Sequence, residues 1–338
     1  MKKRTFFLLV MSLGIGASIP VFFGGTAALS LLAETSPLAI SMLISLVMLT
    51  WLFNASRVFL LLNDDEKKLS FFKALALIIA CDFSVKVTPA GFGGPITAIS
   101  FLRKMSIHPT TTVVAFSLLF LIDVILMLAS SLILYIVNLQ KWAEAGVTLN
   151  MAMTTFSFIF FIIMLTALIC YNRKLIIAVE WLLYKTHGTP RFKRFITRQY
   201  VMIKRAWRAL GATPVTIKTM VSASSILYWL TQFSILYACL HLLDADITWV
   251  TVAVVQFMAM GAGRLTLLPA GSGGLEAVAT ALLILWVPPT TAAAAVLLWR
   301  GTTLFPALVL GALSMFALGI NLSTSKNAFP EKRAFYLR

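Results

Sequence analysis

Six long apolar stretches dominate the sequence and limit what the chain can fold into. A helix needs about 20 consecutive apolar residues to cross a bilayer. Stretches of this length lie at residues 5–30, 37–61, 109–138, 151–171, 214–243 and 288–320. The chain is 60% hydrophobic and 12% charged, whereas soluble domains are about 45–50% apolar and about 25% charged. We therefore predict an all-α integral membrane protein with six spanning helices, which excludes a cytosolic enzyme, a disordered chain and a disulfide scaffold.

Two further apolar stretches, 71–104 and 248–287, are each interrupted by a Pro/Gly motif. The first contains VTPAGFGGP at residues 87–95, and the second contains LLPAGSGGLE at residues 267–276. Proline removes a backbone donor and glycine allows left-handed φ, so a helix ends there. Broken backbone at membrane depth survives only beside protein or a wet cavity. We predict two re-entrant helical hairpins, with two pairs of kinked or tightly turned spans as the alternative; the turn residues are Pro89, Gly91, Gly93, Gly94, Pro269, Gly271, Gly273 and Gly274.

The two interrupted stretches belong to an internal repeat with an offset of 180 residues. Between residues 89–123 and 269–303, 11 of 35 positions are identical without a gap, where composition alone would give roughly three. Each half reads as span, span, hairpin, span, with half 1 at about 1–140 and half 2 at about 150–320. Three crossings per half give the halves opposite orientations, so the prediction is an inverted repeat, an architecture of many transporters. A duplication kept only for packing would leave the same pattern.

The positive charges predict the orientation of this single membrane domain, residues 1–320. Of 28 Lys and Arg residues, 24 fall in the predicted cytoplasmic segments 1–4, 57–73, 103–104, 173–218 and 326–338, and only Lys141 falls in an external one. Because cytoplasmic loops carry such an excess, we place both termini in the cytoplasm. We expect the basic segment 172–213 to lie along anionic lipid rather than to bind nucleic acid, and residues 321–338 to form a short basic tail.

Six charged residues are predicted to lie at interior depth in the membrane. They are the bases Lys86, Arg264 and Arg300 and the acids Asp82, Asp123 and Glu276. A charge at the bilayer centre costs about 2.5–3.5 kcal/mol on insertion scales, so such residues face a cavity or a partner. We predict a polar substrate-binding cavity in which the three bases hold a phosphate, while the acids pair an amine, neutralise an arginine or carry a proton. The alternative is a set of structural ion pairs, such as Asp82 with Lys86 and Arg264 with Glu276.

The cysteines and histidines give no sign of a metal or other cofactor. Cys81, Cys170 and Cys239 are an odd number in apolar surroundings, which is typical of packing residues. The three histidines lie at unrelated spacings, unlike the spacings of zinc ligands. We therefore expect neither a metal site nor a catalytic residue, and the chain is predicted not to be an enzyme.

Essentially the whole chain, and most strongly its last 70 residues, resembles the membrane domain of the lysylphosphatidylglycerol synthase/flippase family. The family pattern is a P-x-G-x-G-x-x-E turn, an apolar helix ending in a Val-Pro step, and a span with an early arginine. The matching positions are Pro269, Gly271, Gly273 or Gly274, Glu276, Val287, Pro288, Ala294 and Arg300. The resemblance implies a lipid-translocating protein of the bacterial cytoplasmic (inner) membrane. No aminoacyl-transferase domain follows residue 320, so we expect no synthase activity.

The leading hypothesis is a lipid flippase that moves an anionic or aminoacylated phospholipid, or a related lipid phosphate, through the polar centre. A second is a membrane enzyme acting on a lipid phosphate, which would use Ser272 beside the second motif but finds no arginine directly after it. A third is a carrier for a small solute or ion. The expected partners are membrane lipids, and the sequence leaves a homodimer open.

Overall fold

The computed structural model describes residues 3–62, 69–107, 111–113, 115–123, 125–126, 201, 208, 212–266 and 268–319. Within these ranges the regular structure is helical, which confirms the all-helical prediction. The helices are α1 (Lys3–Gly24), α2 (Ala27–Ala33), α3 (Pro37–Leu62), α4 (Phe71–Val87), α5 (Gly93–Lys104), α6 (Thr111–Asp123), α7 (Val215–His241), α8 (Trp249–Leu265), α9 (Gly274–Leu283) and α10 (Pro289–Ala317). Two 3-10 turns, the first break (Pro89–Gly91) and the second break (Pro269–Gly271), separate α4 from α5 and α8 from α9.

Three of the described helices, α3, α7 and α10, are long and apolar enough to cross a membrane by length and composition. They correspond to the predicted spans 37–61, 214–243 and 288–320. Several predicted segments lie outside the described residues. They are the span 151–171, much of the span 109–138, the tail 321–338 and all but a few positions of the basic segment 172–213.

The first predicted span, 5–30, is wrong as a single continuous helix. α1 ends at Gly24, and α2 begins at Ala27 after a bend of 109°. The chain turns at Gly25, whose φ of +64° is one that glycine adopts without steric cost. Together the bent pair is apolar enough to form a fourth, broken span or a re-entrant loop.

Both interrupted stretches fold back on themselves as helical hairpins. In the first hairpin (α4, first break, α5), the hydroxyls of Ser84 and Thr97 lie 2.7 Å apart. In the second hairpin (α8, second break, α9), a Cβ at Gly274 would lie 2.9 Å from the carbonyl oxygen of Ala262. The two arms of each hairpin are therefore packed on each other, and neither helix carries straight on past its proline.

The two breaks contact each other. Helix α4 contacts the second break as well. The preceding helices match in length, since α3 and α7 have 26 and 27 residues and α4 and α8 have 17 each. α3 and α7 pack against each other, and α10 contacts both of them. In the described residues, a long helix, a 17-residue helix, a break and a short helix thus follow one another twice.

Close packing of α10 on the first hairpin depends on Gly311. A Cβ at this position would lie 2.3 Å from the Cβ of Phe83 and 3.0 Å from the carbonyl oxygen of Ile79. We expect Gly311→Ala to destabilise the protein by about 1–3 kcal/mol, because the two helices must move apart. The measurement is the melting temperature of the purified protein in detergent.

The matched control for this variant is Gly301→Ala in the same helix. A Cβ at Gly301 meets nothing closer than Phe305, at 4.0 Å, so the higher helix propensity of alanine should leave stability unchanged or improved. Equal melting temperatures of the two variants would contradict the close contact between α10 and α4.

Candidate functional site

Glu276 and Arg300 form an ion pair beside the second break. Glu276 lies in the first turn of α9, its side chain is only 1% exposed, and its Oε2 accepts a hydrogen bond of 2.8 Å from the backbone N–H of Gly273. Its Oε1 lies 2.7 Å from Nε of Arg300, although that N–H is not aligned for a hydrogen bond. The carboxylate is therefore stabilised by the helix N-terminus and by the guanidinium together.

Arg300 also fastens the second break to α10. Its Nη2 donates to the carbonyl oxygen of Ala270 at 3.1 Å and lies 3.5 Å from Oγ of Ser272. Ala270 has a φ of +57°, and a non-glycine residue in this region costs of order 1–3 kcal/mol and persists only where its surroundings hold it. The hydrogen bond from Arg300 is one contact that stabilises this turn.

Lys86 and Asp82 form the equivalent pair beside the first break. Their Nζ and Oδ2 atoms lie 2.8 Å apart, and Oδ2 of Asp82 also accepts a hydrogen bond from the indole of Trp51 at 3.0 Å. Nζ of Lys86 donates to the carbonyl oxygen of Thr303 at 2.8 Å. Thr303 follows Arg300 by less than one helical turn, so both breaks are attached to the same short stretch of α10.

A third ion pair, Arg57 with Asp123, connects α3 to α6. Nη2 of Arg57 lies 2.8 Å from Oδ2 of Asp123, whose Oδ1 accepts a hydrogen bond from the indole of Trp229 at 3.1 Å. The guanidinium lies 5.0 Å from the ring centroid of Tyr228, at a cation–π distance. The structure thus gives Asp123 a partner that the sequence did not suggest.

The structure buries Arg57, which the sequence analysis counted in the cytoplasmic segment 57–73. The residue is 2% exposed and lies inside α3, with five helical residues after it. The apolar run VFLLL at 58–62 was the available signal, because it continues the hydrophobic stretch beyond the arginine.

Arg264 differs from the other predicted bases. It lies in the last turn of α8, is exposed, and pairs with no carboxylate in the described part of the chain. The alternative pair of Arg264 with Glu276 is not formed, since Arg300 occupies that carboxylate. Among the six predicted residues, Arg264 is therefore the base whose charge is available to a ligand without displacing an internal partner.

The three ion pairs make the centre nearly neutral rather than strongly electropositive. Lys86 and Arg300 each face a carboxylate within 3 Å, so a phosphate would have to compete with Asp82 and Glu276 for them. Binding of a phosphate by the three predicted bases stays a prediction. What the structure brings together is the four side chains of two pairs, joined through α10.

α1 covers the Glu276 carboxylate. A Cβ at Gly16 would lie 2.8 Å from Oε1 of Glu276 and 3.6 Å from Oγ of Ser272. Only glycine leaves room for the carboxylate at this distance. No sequence pattern indicated this contact, because Gly16 lies in an apolar run far from Glu276 along the chain.

The described cysteines are buried thiols, and Sγ of Cys81 lies 3.5 Å from the carbonyl oxygen of Gly94 in the first hairpin. Cys81 and Cys239 are buried and not bonded to each other, and Cys170 lies outside the described residues. In the part of the chain that the structure describes, no three His, Cys, Asp or Glu side chains cluster as metal ligands would.

Comparison with known families agrees with the geometry. The family model described as "Lysylphosphatidylglycerol synthase TM region" matches residues 9–311, which include both hairpins and all three ion pairs. No curated protein matches the chain at a significant level.

Separating the charges of the Glu276–Arg300 pair should be costly. Removing one partner leaves an uncompensated buried charge, so we expect Glu276→Gln or Arg300→Gln alone to destabilise the protein by about 3–5 kcal/mol. The double variant should lose less stability than the sum of the losses in the two single variants. Melting temperatures in detergent would measure this coupling.

The control is Arg264→Gln, which removes an exposed charge from the neighbouring turn and should change stability little. Additive losses in the double variant would show that the two side chains act independently, against the ion pair described above.

Proposed function

Since the chain belongs to the family of the lysylphosphatidylglycerol synthase transmembrane region, we propose that it is a lipid flippase. Its substrate is an anionic or aminoacylated phospholipid, or a related lipid phosphate, moved between the two leaflets. The headgroup passes the polar centre while the acyl chains stay in the bilayer. The chain acts without covalent chemistry, in the bacterial cytoplasmic membrane.

One observation carries this proposal: two broken hairpins touch, and both are fastened by charged side chains to one stretch of α10. Charges are expensive in hydrocarbon and are kept where they serve a pathway. Interrupted helices that meet around a midplane site are the arrangement of many transporters. A structural role alone would be served as well by apolar packing, which often stabilises more than a buried ion pair.

The membrane arrangement belongs to the proposal. The chain has six spans, and its two hairpins are re-entrant and enter from opposite sides as parts of an inverted repeat. Both termini are cytoplasmic, which places the basic segment 172–213 against anionic lipid. Rocking of the two halves then opens the centre alternately to each leaflet.

The charge balance of the centre indicates what the headgroup carries. A phosphate that takes Arg300 from Glu276 leaves a buried carboxylate unpaired, at a cost of several kcal/mol. A headgroup with both a phosphate and an amine replaces both partners at once. Exposed Arg264 supplies the first contact for the phosphate, by a charge-assisted hydrogen bond.

The central test is translocation of fluorescent lipids by the purified protein in liposomes. We expect Glu276→Ala and Arg300→Ala to lower the rate by about tenfold or more, as loss of about 1.4 kcal/mol of headgroup binding in the transition would do. Arg264→Ala should lower it less. Arg103→Ala, which removes an exposed base from the end of α5, is the control and should leave the rate unchanged. Rates unaffected by all three site variants would rule out this site.

Headgroup charge gives an independent test. At equal concentration we expect lipids that carry both a phosphate and an amine, such as aminoacylated phosphatidylglycerol, to move faster than phosphatidylglycerol itself, because they compensate both members of the ion pair. Competition between the two lipids in the same liposomes measures the preference. Faster movement of phosphatidylglycerol would show that the bases alone select the substrate.

A second candidate, a lipid-phosphate enzyme, is favoured by one contact. Ser272 has an arginine beside it in space, since Nη2 of Arg300 lies 3.5 Å from its hydroxyl oxygen. Phosphate release from a lipid diphosphate, dependent on a divalent metal and lost in Ser272→Ala, would favour this function over translocation. Uptake of a small solute without lipid movement would favour a carrier instead.

A further inference from the structure

A headgroup cannot reach the Glu276 carboxylate, which is 1% exposed, unless the element that covers it moves. We propose that α1 is a lateral gate, and that the seam between α1 and the second hairpin is the route by which a membrane-dissolved ligand enters. The identity of that ligand as a lipid rests on the proposed function. The position of the gate rests on the contacts of α1.

The covering contact is direct. Gly16 lies so close to Glu276 that a Cβ would be 2.8 Å from Oε1 and 3.4 Å from Cδ. α1 contacts the second break, α9 and α10, whereas the other side of the carboxylate is occupied by Arg300 and the first turn of α9. Moving α1 away exposes the pair without dismantling either hairpin.

α1 packs on its neighbours through small residues rather than through large interlocking side chains. Its buried positions in the described part of the helix, Ser12, Gly16, Pro20 and Gly24, recur every four residues and are small. Between helices in lipid no hydrophobic force opposes separation, so close packing supplies the attraction. The bend at Gly25 separates α1 from α2, so the whole of α1, including its end at Gly24, can move away from the second hairpin and α10 while α2 stays in place.

The opposite face of α1 is exposed and apolar. Phe22 is 86% exposed and Met11 is 47% exposed. In a membrane such a face contacts acyl chains, so an opening along this helix connects the ion pair with hydrocarbon rather than with water. The structure thereby assigns a route for a ligand that arrives within the bilayer, as a lipid does and a water-soluble solute does not.

Thiol labelling tests the gate without relying on transport. In protein whose Cys81, Cys170 and Cys239 are replaced by alanine, Ser272→Cys is labelled in liposomes with a membrane-soluble maleimide. We expect added Gly16→Leu to raise the labelling rate about tenfold, because its side chain forces α1 off the carboxylate. Gly14→Leu is the matched control, since a Cβ there has no neighbour within 4 Å.

Three labelling results overturn the gate. The first is an equal labelling rate for Gly16→Leu and Gly14→Leu, and the second is a faster rate for Gly14→Leu. The third is labelling by a membrane-impermeant sulfonated maleimide that is as fast as labelling by the membrane-soluble maleimide. The pair Gly16→Ala and Gly14→Ala repeats the comparison with smaller side chains where leucine prevents folding.

A reversible lock tests whether lipid uses the same route. A Cβ at Gly24 would lie 2.4 Å from the Cβ of Ala293, close enough for Gly24→Cys and Ala293→Cys to form a disulfide after a small shift. Oxidation should stop lipid translocation and a reductant should restore it. Equal rates of lipid translocation by the oxidised and the reduced protein would overturn the gate without contradicting the proposed lipid translocation. Absence of lipid movement in every variant contradicts the proposed function, and the labelling comparison then decides the gate alone.

Discussion

The pairing of charges where the two helix breaks meet is the interaction on which the rest of the structure depends. A buried charge without a partner destabilises a fold by several kcal/mol. Glu276 is therefore tied to Arg300, and Asp82 to Lys86. Both bases are attached to one stretch of α10, one as part of it and the other through the carbonyl oxygen of Thr303. A shift of α10 relative to either hairpin must therefore disturb one of the pairs.

This arrangement links the fold to the proposed transport. The pairs are strong enough to define a resting state, yet a ligand that offers both charges can replace either pair without leaving a bare ion. Because α10 contacts both hairpins, an exchange at Arg300 can be transmitted to Lys86 through Thr303, which lies less than one turn along α10 and accepts the hydrogen bond from Lys86. The two halves then respond to the same headgroup, which alternating access requires.

The sequence predicted the features that depend on local chemistry. Proline and glycine stop helices wherever they occur, so both breaks were visible, and Asp82 and Lys86 lie four residues apart on one helix face. The alternative pair of Arg264 with Glu276 was wrong. Arg264 is nearer to Glu276 in sequence, but the packing of α10 brings Arg300 to the carboxylate instead. The pair of Arg57 and Asp123 was missed for the same reason, as it joins separate helices. The bend after α1 was overlooked although Gly24 and Gly25 mark it.

Membrane depth tests the central claim most directly, because the account requires the two breaks to meet inside the bilayer. Phe92 and Leu265 flank the two breaks and are 70% and 83% exposed, so each position accepts a spin label after substitution by cysteine. Collision of the labels with oxygen and with a water-soluble nickel complex reports their depth in liposomes. The account predicts that both labels lie near the bilayer centre at similar depth. A label at headgroup depth, or two labels on opposite surfaces, would contradict it.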